Sequence, residues 1–217
     1  MKNSLRIKRM VGIATLCAIA FVLQFWISGI LPKLPIGPSG GTAINLALIP
    51  VVIGAVLYGP KGGMIVGLFL GAVTLMPGQG AEGFYVNWYM TLLAVLLCLG
   101  KTGLAGLGAG LVFKFIKKFN FTAAVICAAI ITPIINTGLY LLLIGILIYI
   151  MTGTAYGVTF VAVAIQVWIA FLVELGINVV LGPSIIRLIK ILAKNNNLGF
   201  SNDFSDFIEN EDLDIEE

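Results

Sequence analysis

The sequence predicts an all-α polytopic membrane protein, a bundle of six transmembrane helices with both termini cytoplasmic. Three observations carry this reading. The chain is 59% hydrophobic and only 11% charged over its 217 residues, with a mean hydropathy of +1.07. That balance excludes an ordinary soluble domain. Several apolar runs approach the ~20 residues a helix needs to cross a ~30 Å hydrocarbon core. In lipid such runs satisfy their backbone groups as helices. Finally, eleven of the thirteen basic residues fall in four places: Lys2 to Arg9, Lys61, Lys114 to Lys118, and Arg187 to Lys194. Six crossings put all four on one side, as the positive-inside tendency requires. The outer loops then keep only Lys33 and Glu82, whereas a seventh span would push a basic cluster outside.

Taken in order, the first span is expected over residues 11–31. The basic residues Lys2, Arg6, Lys8 and Arg9 precede it in the manner of a signal peptide. No small-residue cleavage site follows, so the run reads as a permanent span. The Pro/Gly-rich stretch 31–41 cannot be helical and is a plausible lid, with Ser39 and Thr42 as polar lining.

Residues 45–74 read as a helical hairpin. Two apolar runs flank Tyr58-Gly59-Pro60-Lys61-Gly62-Gly63. Gly59 suits a helix stop and Pro60 a helix start. Gly63, Gly67 and Gly71 recur every four residues on the second arm, a ridge that lets another helix approach closely.

Residues 84–118 admit two readings: one span over about 100–118 behind an irregular segment, or two short spans. Gly100-Lys101-Thr102-Gly103 is the interruption. The fifth span is expected over about 122–150, interrupted by Pro133, and the sixth over about 158–191. Residues 1–193 thus form the membrane domain, with an outward-facing substrate pocket. Residues 194–217 form a tail carrying eight of the ten acidic residues, all beyond Asn202, and the chain up to Asn202 stands at +11. Such a tail is expected to be disordered.

The chain contains no histidine, and Cys17, Cys98 and Cys127 stand alone in apolar runs. No disulfide, metal site or cofactor is expected. Polar groups inside lipid are costly, so each is a site candidate. The sixth span carries Gln166, Ala170, Glu174 and Asn178 at intervals of four, with Trp168 nearby. Glu174 suits a ligand's N–H or hydroxyl groups, but it could equally pair with Lys101 or serve as a structural carboxyl. The fifth span carries Thr132, Asn136, Thr137 and Tyr140 around Pro133. These side chains can line a pocket or satisfy the carbonyl that proline leaves free. Lys101, read at the outer mouth of the fourth span, can hold an anionic group or simply snorkel. Asn87 and Trp88 lie in an aromatic cluster that suits either a pocket rim or an interface belt.

At these residues the chain resembles the substrate-binding S components of energy-coupling factor (ECF) vitamin transporters. The likeness covers about residues 4–192. It rests on three stretches: Ala47 to Pro50 with the Tyr58-to-Gly63 turn, Ala14-Thr15-Leu16-Cys17-Ala18, and Asn178 to Pro183 followed by Arg187. The resemblance implies a six-span fold, no enzymatic activity, and a vitamin captured in the outer half of the bundle. It also implies partnership with a transmembrane coupling (T) component and two cytoplasmic ATPases, a bacterial plasma membrane, and no nucleic acid. Ala14 and Ala18 match the family's docking patch, although they could instead pack within this chain.

The sequence has no Walker A motif, because the Gly59-to-Gly63 segment lacks both the spacing and the Ser or Thr. An ATP-driven pump would therefore need partners. Riboflavin, folate or a related flat heterocycle suits the apolar, aromatic and amide-bearing residues. The alternatives are a stand-alone small-solute transporter or channel and, more remotely, a membrane-embedded enzyme.

Overall fold

The computed structural model describes residues 2–27, 45–76, 88–152 and 157–193, and all regular structure among them is helical. Helix α1 (Lys2–Val22) continues into a π-helical turn (Leu23–Ile27). Next come α2 (Leu48–Thr74), α3 (Trp88–Ile116), α4 (Phe121–Thr152) and α5 (Gly157–Ala193). Five helices among the described residues are long and apolar enough to cross a membrane. The expected lid, the loop before Trp88 and the acidic tail lie outside the described residues.

Helix α2 is the hairpin that the sequence anticipates. Gly59 has φ 75° and ψ −175°, a left-handed conformation at which the helical run breaks. Glycine carries no Cβ penalty there. Residues 48–58 and 60–74 then lie side by side. A Cβ built on Gly54 would sit 3.0 Å from Val66 Cγ2, and one on Gly63 would sit 2.6 Å from Ala55 Cβ. In a continuous helix, residues eight apart stand ~12 Å apart along the axis. The chain has therefore turned back on itself.

The second arm packs against α3 with its glycine ridge. A Cβ added at Gly63 would fall 2.5 Å from Gly106 O, and one at Gly71 2.5 Å from Cys98 O. Gly67 faces the Thr102 carbonyl in the same way. The partners step backwards along α3 by four as the ridge steps forward by four, so the two helices run antiparallel in fixed register. Pro60 continues this register onto Gly110.

Helix α1 covers the hairpin from another side. Gly12 makes room for the Tyr58 ring, while Leu16 and Ala20 are buried in the core. The Arg9 guanidinium donates to the Tyr58 carbonyl. That carbonyl ends the first arm, where a helix leaves acceptors unpaired and a cation is favourable.

The structure matches neither reading of the segment 84–118 over its described part, which begins at Trp88. Helix α3 is continuous from Trp88, and Gly100 to Gly103 lie within it. Glycine is tolerated in membrane helices, and Thr102 returns its hydroxyl to Cys98 O at 2.7 Å. No polar group in the quartet forces a break. Lys101 consequently lies in the middle of a span and not at its mouth.

Candidate functional site

Helices α3, α4 and α5 and the start of the hairpin bring polar side chains together inside the apolar bundle. From α5 come Glu174 and Asn178, 7% and 3% exposed. One helical turn separates them, so they share a face. Asn178 Nδ2 donates to Glu174 O at 3.0 Å. Glu174 Oε1 accepts from the backbone N–H of Asn45 at 3.0 Å, a contact between residues 129 apart in sequence. Asn45 uses its own Oδ1 to accept from the Ala47 N–H at 3.2 Å, which fixes the entry to the hairpin. The Glu174 carboxyl group therefore pins the residue three before α2 to α5.

Helix α4 contributes Asn136, Thr137 and Tyr140. Asn136 and Thr137 are buried, as is Thr132 a turn earlier. Thr132 Oγ1 donates to Ala128 O at 2.7 Å, beside the proline at position 133. Lys101 from α3 lies over the Tyr140 ring, with Nζ 4.8 Å from the centroid. This cation–π contact is strengthened where water is excluded. Lys101 and Glu174 also lie near enough to feel each other's charge. The site thus holds an amine, a carboxyl group, a phenol and two amides.

Two of its acceptors have no partner among the described residues: Asn136 Oδ1 and Asn178 Oδ1. A buried acceptor left unpaired costs roughly 1–3 kcal/mol. A helix repaired around Pro133 would not require Asn136 to be in that state. Both acceptors are suited to donors supplied from outside the chain.

The remaining sequence candidates divide. Lys101, Asn136, Tyr140, Glu174 and Asn178 belong to these polar groups. Trp88 opens α3, is 80% exposed and meets Tyr89 edge to face. It stands ~20 Å along the helix from Lys101. Trp168 also points outward, against Phe171. Asn87 and the Gln166 side chain lie outside the described residues. Ala14 and Ala18 are exposed on α1, on the face away from Leu16 and Ala20, and do not pack within the described part of this chain. Sequence reasoning missed Asn45. Its signal was an amide just before an apolar helix start, but nothing local pointed to Glu174 as its partner.

Among the described residues no three His, Cys, Asp or Glu side chains gather to hold a metal. No curated protein and no solved structure matches the chain. The family described as "ECF transporter, substrate-specific component" matches residues 8–186, which covers every helix described above except the ends of α1 and α5. Members of this family are substrate-binding subunits of transporters, not enzymes. Buried polar groups in a multi-pass helical membrane protein and the family match meet in one conclusion: the chain belongs to the ECF transporter substrate-specific components.

Proposed function

We propose that this chain captures a water-soluble vitamin or a related small molecule for an ECF-type importer in a bacterial plasma membrane. It would work with a transmembrane coupling component and two cytoplasmic ATPases. In this reading the two arms of α2 count as separate spans, giving six, with both termini cytoplasmic and residues 194–217 as a cytoplasmic tail. The ligand is held by Lys101, Asn136, Tyr140, Gln166, Glu174 and Asn178, with Asn87 and Trp88 as the rim. Ala14 and Ala18 form the surface that meets the coupling component, where small side chains permit close helix contact.

The observation that carries this reading is a pair of buried amide acceptors without a partner among the described residues: Asn178 Oδ1, one turn from Glu174, and Asn136 Oδ1, one turn from the Tyr140 ring that Lys101 overlies. A ligand with ring N–H or hydroxyl donors pairs them and removes their desolvation cost. A flat heterocycle with a polar or acidic tail, of the riboflavin or folate kind, meets the aromatic and the charged groups together. Asn45 suits a lid role for the preceding loop, because its backbone ties the end of that loop to Glu174.

The test is a thermal-stability panel of vitamins on the detergent-solubilised chain, with mass spectrometry of co-purifying small molecules. A ligand that binds the folded state at 100 times its Kd stabilises it by about 2.7 kcal/mol. Glu174→Gln and Asn178→Ala should each weaken that ligand at least about tenfold, or ~1.4 kcal/mol. If a vitamin binds and neither substitution changes its affinity, the ligand sits elsewhere. If no vitamin binds, the capture reading fails.

A further inference from the structure

The same register that builds the fold gathers the basic residues at one end of the bundle. Arg9 bonds to Tyr58 beside the hairpin tip. Lys61 follows the tip and is exposed. Pro60 packs on Gly110, one turn before Lys114. The Phe113 ring meets Phe121 edge to face, at 5.8 Å between centroids, so α4 begins where α3 ends. The position of Gly182 lies against Ile126 near the start of α4, which brings the exposed Arg187 to the same level. Lys118 and Arg187 are exposed there, as are Phe115 (68%) and Phe119 (89%). Of the two acidic residues outside the tail, Glu174 is buried within α5 and Glu82 precedes α3 in sequence. This end of the bundle has cations and exposed aromatic rings, and neither acidic residue of the body belongs to its sequence segments.

Helix α5 delivers the chain to this end and stops at Ala193. Eight acidic residues follow between 203 and 217. They are interleaved with Phe204, Phe207 and Ile208, the i, i+3, i+4 spacing of one helical face. The nine residues between reach at most ~30 Å when extended. Neighbouring helix axes stand ~8–10 Å apart, so the acidic segment can reach any part of the basic end. Charge, apolar spacing and reach all match.

We propose that residues 203–217 fold back onto the basic end of their own bundle, with their carboxylates facing Lys61, Lys118 and Arg187 and their apolar residues facing Phe115 and Phe119. The tail is then an intramolecular cover for a surface that would otherwise attract anionic groups. This does not depend on what the polar site binds.

Zero-length carbodiimide coupling of the full chain in detergent, mapped by mass spectrometry, tests it. Tail carboxylates should couple to Lys61 and Lys118 within one chain, and far less to Lys33. Raising the salt from 0.05 to 0.5 M should cut this coupling several-fold, because it shortens the Debye length from ~14 Å to ~4 Å. Coupling that is only between chains, or equal at Lys33, overturns the proposal. A second measurement uses a Glu-specific protease. The combined Lys61→Gln, Lys118→Gln and Arg187→Gln variant should lose its tail about tenfold faster than the unaltered chain at low salt. Equal rates overturn the proposal.

Discussion

The α2–α3 seam and the α4–α5 side of the bundle meet their neighbours by different means. Across the seam, backbone touches backbone: Gly63 on Gly106, Gly67 on Thr102, Gly71 on Cys98, Pro60 on Gly110. Nearly three quarters of the α2 span is buried, against about a quarter of the α5 span. On the α4–α5 side, Gly138 and Gly176 have no described atom within 4 Å of an added Cβ. The described contacts there run through side chains, many of them apolar, and two amide oxygens have no partner among the described residues. A seam of backbone contacts cannot admit a ligand without being rebuilt. A wall of side chains with unmet acceptors can. The difference separates a tightly packed scaffold from the side that carries the proposed ligand site.

The largest expected effect comes from breaking the scaffold. Gly67→Leu would drive a side chain into the Thr102 carbonyl. Overpacking of this kind costs about 1–3 kcal/mol even where neighbours can shift, and a backbone carbonyl shifts least. Size-exclusion chromatography and thermal melting should show little or no folded protein. A well-folded Gly67→Leu variant would mean that the seam is not a rigid contact.

This seam was half legible in the sequence. The glycine ridge announces itself by its spacing, and Gly59-Pro60 by the backbone each residue allows. The facing row on α3 was harder. Gly106 and Gly110 share its period, but Cys98 and Thr102 contribute only their carbonyls, which no side-chain pattern reveals. Reading Gly100 to Gly103 as an interruption hid that row and put Lys101 at a mouth instead of mid-span. The polar site was legible where it rests on charge, since Glu174 stands out in any apolar span. It was illegible where it rests on Asn45, which joins through its backbone across 129 positions.

A smaller effect tests the scaffold from its other face. Gly12→Ala would place a methyl group where the Tyr58 ring now lies. The ring's far end can move, so the cost should be nearer 1 than 3 kcal/mol. The thermal midpoint should fall measurably, and the affinity for a bound vitamin should not change, because Tyr58 lies at the basic end. A loss of affinity with no loss of stability would tie α1 to the binding side and blur the division.

The smallest effect sharpens it. Gly176→Ala and Gly138→Ala add methyl groups where the described structure leaves space. Alanine favours helix over glycine by up to about 1 kcal/mol, so both variants should melt at or slightly above the unaltered protein. Gly176 lies two residues from Glu174 and, unlike it, is exposed. A methyl group there faces away from the carboxylate and should leave ligand binding intact. If Gly176→Ala is stable in isolation yet fails to assemble with the coupling component, a second helix meets α5 as closely as α3 meets α2. In that case the open side of the bundle would be a scaffold surface too, completed only in the complex.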